Sequence, residues 1–243
     1  MSITVRLYGG MGNQMFQYAK GRAVSISKGT DLKLDTAYYC KANATHMSWK
    51  PYALDQWSGV TAEQVQQSVG EVLDGYWQDE KCFLSAERTI REEFVPKYIS
   101  PQVKELAKCM GSNSVCVSFR RGDYNNIGVC LPLDYYVKAL QKIVSVEPSP
   151  HLYIFSDDGE WVKDNFNTPY QTTTARVYNV AGQLGTGCEA EDLWLMSQCK
   201  HTILANSTFS WWGAWLNPST DRAVIAPQPF YTEVPNRWIK IQT

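Results

Sequence analysis

The sequence has no run of about 18 apolar residues, the length needed to cross a bilayer as a helix. It has no excess of basic charge: 23 Lys and Arg face 24 Asp and Glu, for a formal net charge of -1, so no global basic field draws the chain to nucleic acid. Its three histidines (His46, His151 and His201) share no metal-ligand spacing. Seven cysteines are scattered with no CxxC pair, and the odd count argues against a disulfide framework. Several sit in apolar runs, where cysteine acts as a small hydrophobe, and we read them as reduced core residues. There is no internal repeat, no low-complexity tract and no Asp-x-Asp between strands. The first residues, Ile3 to Leu7, read as a strand and not as a leader. These absences exclude membrane-spanning, disulfide-scaffold and nucleic-acid classes. They fit a cytoplasmic chain with no transmembrane segment, leaving room for peripheral membrane contact.

What remains is an alternation. A strand at Ile3–Leu7 leads through a glycine turn to a helical pattern from Asn13 to Lys28, where Met15, Ala19, Ala23 and Ile26 recur at helical spacing. Leu32–Asp35 and Val72–Leu73 read as short strands. Residues 79–93 and 100–110 read as helices, the second opened by Pro101 at its first position. The polar link Gly111-Ser112-Asn113-Ser114 marks a boundary between an N-terminal domain, 1–110, and a C-terminal domain, 111–243. The second half alternates more cleanly. Strands are expected at 115–119, 152–155, 177–180, 202–205 and 223–225, with helices at 133–146, 158–166, 189–199 and 209–216. Such alternation implies Rossmann-like α/β domains with parallel sheets, which bind ligands at the carboxyl ends of their strands.

Four polar clusters fall at those ends. Gly9-Gly10-Met11-Gly12-Asn13-Gln14 opens a helix; Gly10 and Gly12 allow a ligand close to the backbone, and the helix start offers N–H groups to an anion. Met15 stands where a dinucleotide fingerprint needs glycine, and no Walker lysine follows. Arg120-Arg121-Gly122-Asp123-Tyr124 ends a buried strand with two groups able to bind phosphate bidentately. Its embedded Arg-Gly-Asp follows directly from that strand, unlike an exposed adhesion loop. Phe155-Ser156-Asp157-Asp158 offers carboxylates to a ribose or to guanine N–H groups, or an N-cap to the next helix. Asn206, Ser207, Thr208 and Ser210 precede an apolar helix, as a cap or as a second phosphate cradle. Together they describe a site for a nucleoside diphosphate.

The runs "GGMGNQMFQYA" (Gly9 to Ala19), "RRGDY" (Arg120 to Tyr124), "FSDD" (Phe155 to Asp158) and "DLWLMSQCKHTILANSTFSWWGAWLN" (Asp192 to Asn217) occur in an order that resembles the family 11 glycosyltransferases, the α-1,2-fucosyltransferases. The resemblance implies a GT-B-like fold of two α/β domains facing across a cleft. It implies a GDP-β-L-fucose donor, a galactose-containing glycan acceptor on the side of the N-terminal domain, inversion at the anomeric carbon, no cofactor and no metal. The family motif is written His-x-Arg-Arg-Gly-Asp-Tyr; here Ser118 holds the first place, which leaves open a donor other than GDP-fucose. By the same resemblance Arg120 stabilises the departing β-phosphate, with Arg121 second. Ser207, Thr208 and Ser210 hold phosphates, Asp157 or Asp158 reads the guanine or ribose, and Asn13 and Gln14 reach sugar or acceptor. Asp35 and Asp123 are the candidate bases, and Asp123 also suits bracing an arginine. Trp49, Trp57, Tyr76 and Trp77 are candidate acceptor platforms or packing residues. The high Trp and Tyr content also fits a non-catalytic glycan-binding module.

Overall fold

The computed structural model describes residues 2–40, 51–177 and 189–243. The chain divides into two compact units, the first ending at Tyr98 and the second beginning at Ile99. The division falls earlier than the expected boundary near 110. The helix Pro101–Lys108 belongs to the second unit, because the N–H of its cap residue Ser100 donates to Glu191 Oε1 at 2.5 Å.

In the first unit, β1 (Ser2–Arg6) leads to α1 (Met11–Lys28), β2 (Asp31–Asp35), β3 (Glu63–Val65), β4 (Glu71–Leu73) and α2 (Glu87–Glu93). The strands are parallel, in the order β3-β2-β1-β4. Ile3, Val5, Met15, Phe16 and Ala19 form the buried seam between sheet and helix. Gly21 allows α1 to lie close, since a Cβ there would come within 2.2 Å of Val5 Cγ2. The expected helix over 79–93 is shorter: two 3-10 turns, Glu80–Cys82 and Leu84–Ala86, precede α2.

The second unit runs α3 (Pro101–Lys108), β5 (Ser114–Phe119), α4 (Gly122–Asn126), α5 (Leu133–Val144), β6 (His151–Ser156), α6 (Gly159–Asn165), β7 (Thr172–Val177), α7 (Glu189–Gln198), β8 (His201–Ile203), α8 (Thr208–Leu216), β9 (Val224–Gln228) and β10 (Ile239–Gln242). Its six parallel strands are ordered β10-β9-β8-β5-β6-β7. Every residue of β5 is buried, as a central parallel strand covered on both faces requires. Trp211, Trp212 and Trp215 of α8 are fully buried, so that apolar run is core.

Three strands differ from the expectation. β7 occupies Thr172–Val177, ending where a strand was expected to begin; residues 178–180 lie outside the described set. Thr172 and Thr173 carry no apolar pattern, yet branched Cβ atoms suit an edge strand. β3 and β10 are edge strands with mostly exposed side chains, so they carry no apolar pattern. Of the six described cysteines, Cys116 and Cys199 are buried and burial pushes their thiols up, whereas Cys40 and Cys109 are exposed; the core reading holds for two.

Two predictions follow from buried polar groups in the second unit. The Tyr135 hydroxyl donates to the carbonyl of Leu204 (2.8 Å) and lies 3.3 Å from that of Ile225, tying α5 to the centre of the sheet. Tyr135→Phe is expected to cost about 1–2 kcal/mol in urea unfolding, because a buried carbonyl loses its donor. His201 Nδ1 accepts the Ala223 N–H at 3.0 Å, and burial, with help from Lys200, lowers its pKa below the ordinary value. The folded state therefore favours the neutral ring. Its contribution is complete above the unfolded pKa and is lost as pH falls through the lower folded one. Stability measured from pH 7.5 down to 5 should drop, and the drop should be shallower in His201→Gln.

Candidate functional site

In the second sheet the chain proceeds from β5 outward through β6 and β7, then crosses back to place β8 on the other side of β5. The gap beyond the carboxyl ends of β5 and β8 is thus a topological switch point, where the outgoing loops diverge and a ligand can enter. Arg120 and Arg121 leave the end of β5. Asn206, Ser207 and Thr208 leave the end of β8, and Asp157 and Asp158 follow β6 on the far flank.

Asp157 organises the arginines. Its side chain is 1% exposed, and Oδ1 accepts the backbone N–H of Arg121 at 2.7 Å. Oδ2 lies 3.1 Å from Arg120 Nη1, a close charge contact outside hydrogen-bond alignment. A second contact, 2.7 Å, joins Arg120 Nη2 to Asp123 Oδ1. The Tyr124 ring lies beneath the guanidinium, 5.4 Å from its carbon. Arg121 is held more completely. Its Nε pairs with Asp158 Oδ2 at 3.3 Å, and its guanidinium carbon lies 3.4 Å from the centre of the Trp161 ring. The exposures follow: the side chain of Arg120 is 27% exposed and that of Arg121 15%. Arg120 is the cation more open to an incoming anion.

The aspartates at β6 are therefore engaged with arginine. Asp158 also caps α6, its Oδ1 accepting the Trp161 N–H at 3.1 Å. Trp161 and Tyr124 were missed as partners of the arginines. An aromatic residue three positions after a helix cap, or four after a strand-end arginine, is the signal that could have found them.

The β8 cluster separates into two groups. Ser207 caps α8 by accepting the Phe209 N–H at 3.3 Å, and Ser207 and Thr208 are half-buried at the helix start. Asn206 Oδ1 faces the Tyr231 N–H at 3.4 Å. Ser210 is wholly buried, its proton placed between the carbonyls of Ala205 (3.1 Å) and Ser207 (3.0 Å), so it presents nothing to an outside phosphate. It leaves the candidate set for that reason. Ser118 is buried in β5, and its carbonyl accepts the Tyr136 hydroxyl.

In the first unit Gly9 has φ +79° and Gly10 caps α1, whose first N–H groups begin at Met11. Gly12 is buried, and Asn13 Oδ1 accepts a hydrogen bond from Gln78 Nε2 at 2.9 Å. Gln14 is a brace and not a ligand contact. It is fully buried, donating to the carbonyls of Gly9 and Pro51 and accepting the Ala53 N–H at 2.9 Å. Trp57 is fully buried against Phe94, which makes it core. Trp77 is half-buried with φ +45°, Tyr76 is 46% exposed, and Trp49 lies outside the described residues. Among the described residues, no group of three or more His, Cys, Asp or Glu is placed to hold a metal ion, and no helix is long and apolar enough to cross a membrane.

The family model for glycosyl transferase family 11 matches residues 37–234. An alpha-1,2-colitosyltransferase of Escherichia coli is 33% identical, with all of both chains covered. A galactoside 2-alpha-L-fucosyltransferase of Bos taurus is 28% identical over 88% of this chain and 64% of its own length. Among solved structures, the fucosyltransferase NodZ from Bradyrhizobium superposes with a TM-score of 0.52 at 13% identity, covering 89% of this chain and 93% of that one. That likeness is one of fold, and the fold is the GT-B type that the family resemblance implied.

Removing the Asp157 carboxylate would orphan the Arg121 N–H and strip Arg120 of its buried counter-charge. Asp157→Ala is expected to lose about 2–3 kcal/mol of stability in chemical denaturation. Asp158→Ala, at a half-exposed cap, is expected to lose about 1 kcal/mol.

Proposed function

The chain belongs to glycosyl transferase family 11, and from that premise we propose that it moves L-fucose from GDP-β-L-fucose to O2 of a galactose in a glycan, with inversion. The observation that supports the reading is the Arg120 guanidinium, anchored by buried Asp157 and open on one side, at the switch point of the second sheet.

In this reading the donor diphosphate approaches Arg120 from its exposed side. The hydroxyls of Ser207 and Thr208 and the first N–H groups of α8 lie across β5 from Asp157 and suit the remaining phosphate oxygens. The bond from the anomeric carbon to the β-phosphate oxygen breaks, and its electron pair stays on that oxygen. The charge there grows toward the transition state, so a fixed guanidinium stabilises that state more than the bound donor. The acceptor hydroxyl oxygen bonds to the anomeric carbon from the opposite face and gives up its proton to a carboxylate. Arginine supplies the positive charge that a divalent cation supplies elsewhere, so turnover should persist in a chelator.

Asp123 fits a resting counter-ion better than a base. Its side chain is 38% exposed and pairs with Arg120 at 2.7 Å, so an arriving diphosphate can displace it, unlike the buried Asp157. A second reading for the donor, transfer of a colitosyl group, is favoured by the full-length relative that carries that name.

The test is kinetic and calorimetric. Arg120→Ala should lower kcat about 100-fold or more and weaken GDP binding in the presence of EDTA; unchanged binding and turnover would refute the assignment. Asp123→Asn should tighten GDP binding, as expected for loss of a competing anion. Reduced turnover with unaltered GDP affinity would make Asp123 the base instead. Comparing GDP-fucose with GDP-colitose as donors separates the two donor readings, since the faster one is the substrate.

A further inference from the structure

A guanidinium that binds phosphate bidentately must be held in two respects: its place, and the direction in which its flat N–H fork points. The carboxylates beside Arg120 settle the first and not the second. Asp157 Oδ2 lies 3.1 Å from Nη1 and Asp123 Oδ1 lies 2.7 Å from Nη2, yet neither oxygen meets hydrogen-bond alignment. Such contacts fix how near the cation sits and leave its plane free to tilt.

The Tyr124 ring supplies the missing restraint. The guanidinium carbon lies over that ring, 5.4 Å from its centre, inside the ~6 Å reach of a cation–π contact. Asp123 and Tyr124 stand three and four residues after Arg120, so the single turn of α4 brings both back toward it. The backbone then keeps the ring there. The Tyr124 carbonyl accepts the N–H groups of Ile127 (3.3 Å) and Val129 (3.2 Å), and the Asn125 N–H donates to the Arg121 carbonyl at 2.6 Å. The Cys130 thiol donates to that same carbonyl at 3.7 Å, and Gly128, at φ +69°, permits the return turn. Burial pushes the Tyr124 phenol up against the pull of Arg120, so it stays neutral at ordinary pH. Arg120 therefore meets an uncharged ring face and not a third anion.

The ring matters most once a ligand arrives. On the transferase reading, on which this inference rests, the diphosphate displaces Asp123. Asp157 then remains as the counter-charge, and the ring remains as the restraint on tilt. We propose that Tyr124 is a positioning residue, whose ring face keeps the Arg120 N–H fork turned toward the terminal phosphate of the departing nucleoside diphosphate. It acts through Arg120 and makes no bond to the reacting atoms. GDP carries the full charge that the donor acquires only as its sugar leaves. Loss of the ring therefore falls on GDP affinity and kcat and spares the donor KM.

The experiment is calorimetric titration of GDP into the full chain in EDTA, with urea unfolding of the same preparations. Kinetics follow, using whichever of GDP-fucose and GDP-colitose the wild type consumes. Tyr124→Leu and Tyr124→Met keep bulk and lose the ring face. Each should weaken GDP about ten-fold, the measure of one cation–π contact, and lower kcat by a similar factor. The donor KM should stay within about two-fold, and the unfolding midpoint close to that of the wild type. Tyr124→Phe keeps the face without the hydroxyl and should recover GDP affinity to within about two-fold of the wild type. A wild type that binds no GDP would overturn the donor reading and this inference with it. Binding by the wild type, matched by the leucine or methionine variant, would overturn this inference alone. So would a phenylalanine variant as weak as the leucine one, which transfers the effect to the hydroxyl. Loss of cooperative unfolding in both the leucine and methionine variants would make Tyr124 a packing residue and end the proposal.

Discussion

A single buried carboxylate, Asp157, organises the second unit's functional edge. It leaves the end of β6, reaches to the neighbouring β5 and takes hold of both arginines, one by its backbone N–H and one by its guanidinium. A charge buried this deeply is tolerated only when paired. The pairing fixes Arg120 in place without covering it. Arg121, by contrast, is enclosed by Asp158 and the Trp161 ring. The outcome is a difference between adjacent residues of one type: one guanidinium is enclosed, the other stays partly open.

That arrangement depends on the sheet beneath it. β5 pairs with β6 over six residues, which brings Phe119 opposite Ser156 and so sets the arginines beside the aspartates. On its other side β5 pairs with β8, which brings the start of α8 to the same edge. Helix N–H groups and capping hydroxyls come from the β8–α8 connection, the partly open cation from the end of β5 and its anchoring carboxylate from the end of β6, three different segments of the chain. The first unit repeats the device with a different outcome. Its switch point is lined by paired charges and tyrosines.

The family relationship gives these features a direction. The relatives are named for colitosyl and fucosyl transfer, and in the proposed reaction the donor leaves behind a charged diphosphate. Stabilising that leaving group is work for a preorganised cation. In the resting molecule the cation is shared with Asp123, which keeps the edge from carrying a bare positive charge.

Much of this was legible in the residue order. Strand and helix alternation announced parallel sheets, glycine and polar clusters marked the strand ends, and the arginine pair was visible as the odd feature of a buried run. Periodicity and turn chemistry are local, so a linear reading captures them. What it could not supply was pairing. Gln14 and Ser210 look like ligand contacts in sequence, yet their partners are backbone groups that only the folded chain brings near. The edge strands β3 and β10 are defined by the neighbour they join, not by their own apolar pattern. The roles of Arg120 and Arg121 were distinguishable only once Asp157 and Trp161, distant in sequence, closed around them. Hydrogen bonds and burial are relations between residues, and the tertiary structure alone decides them.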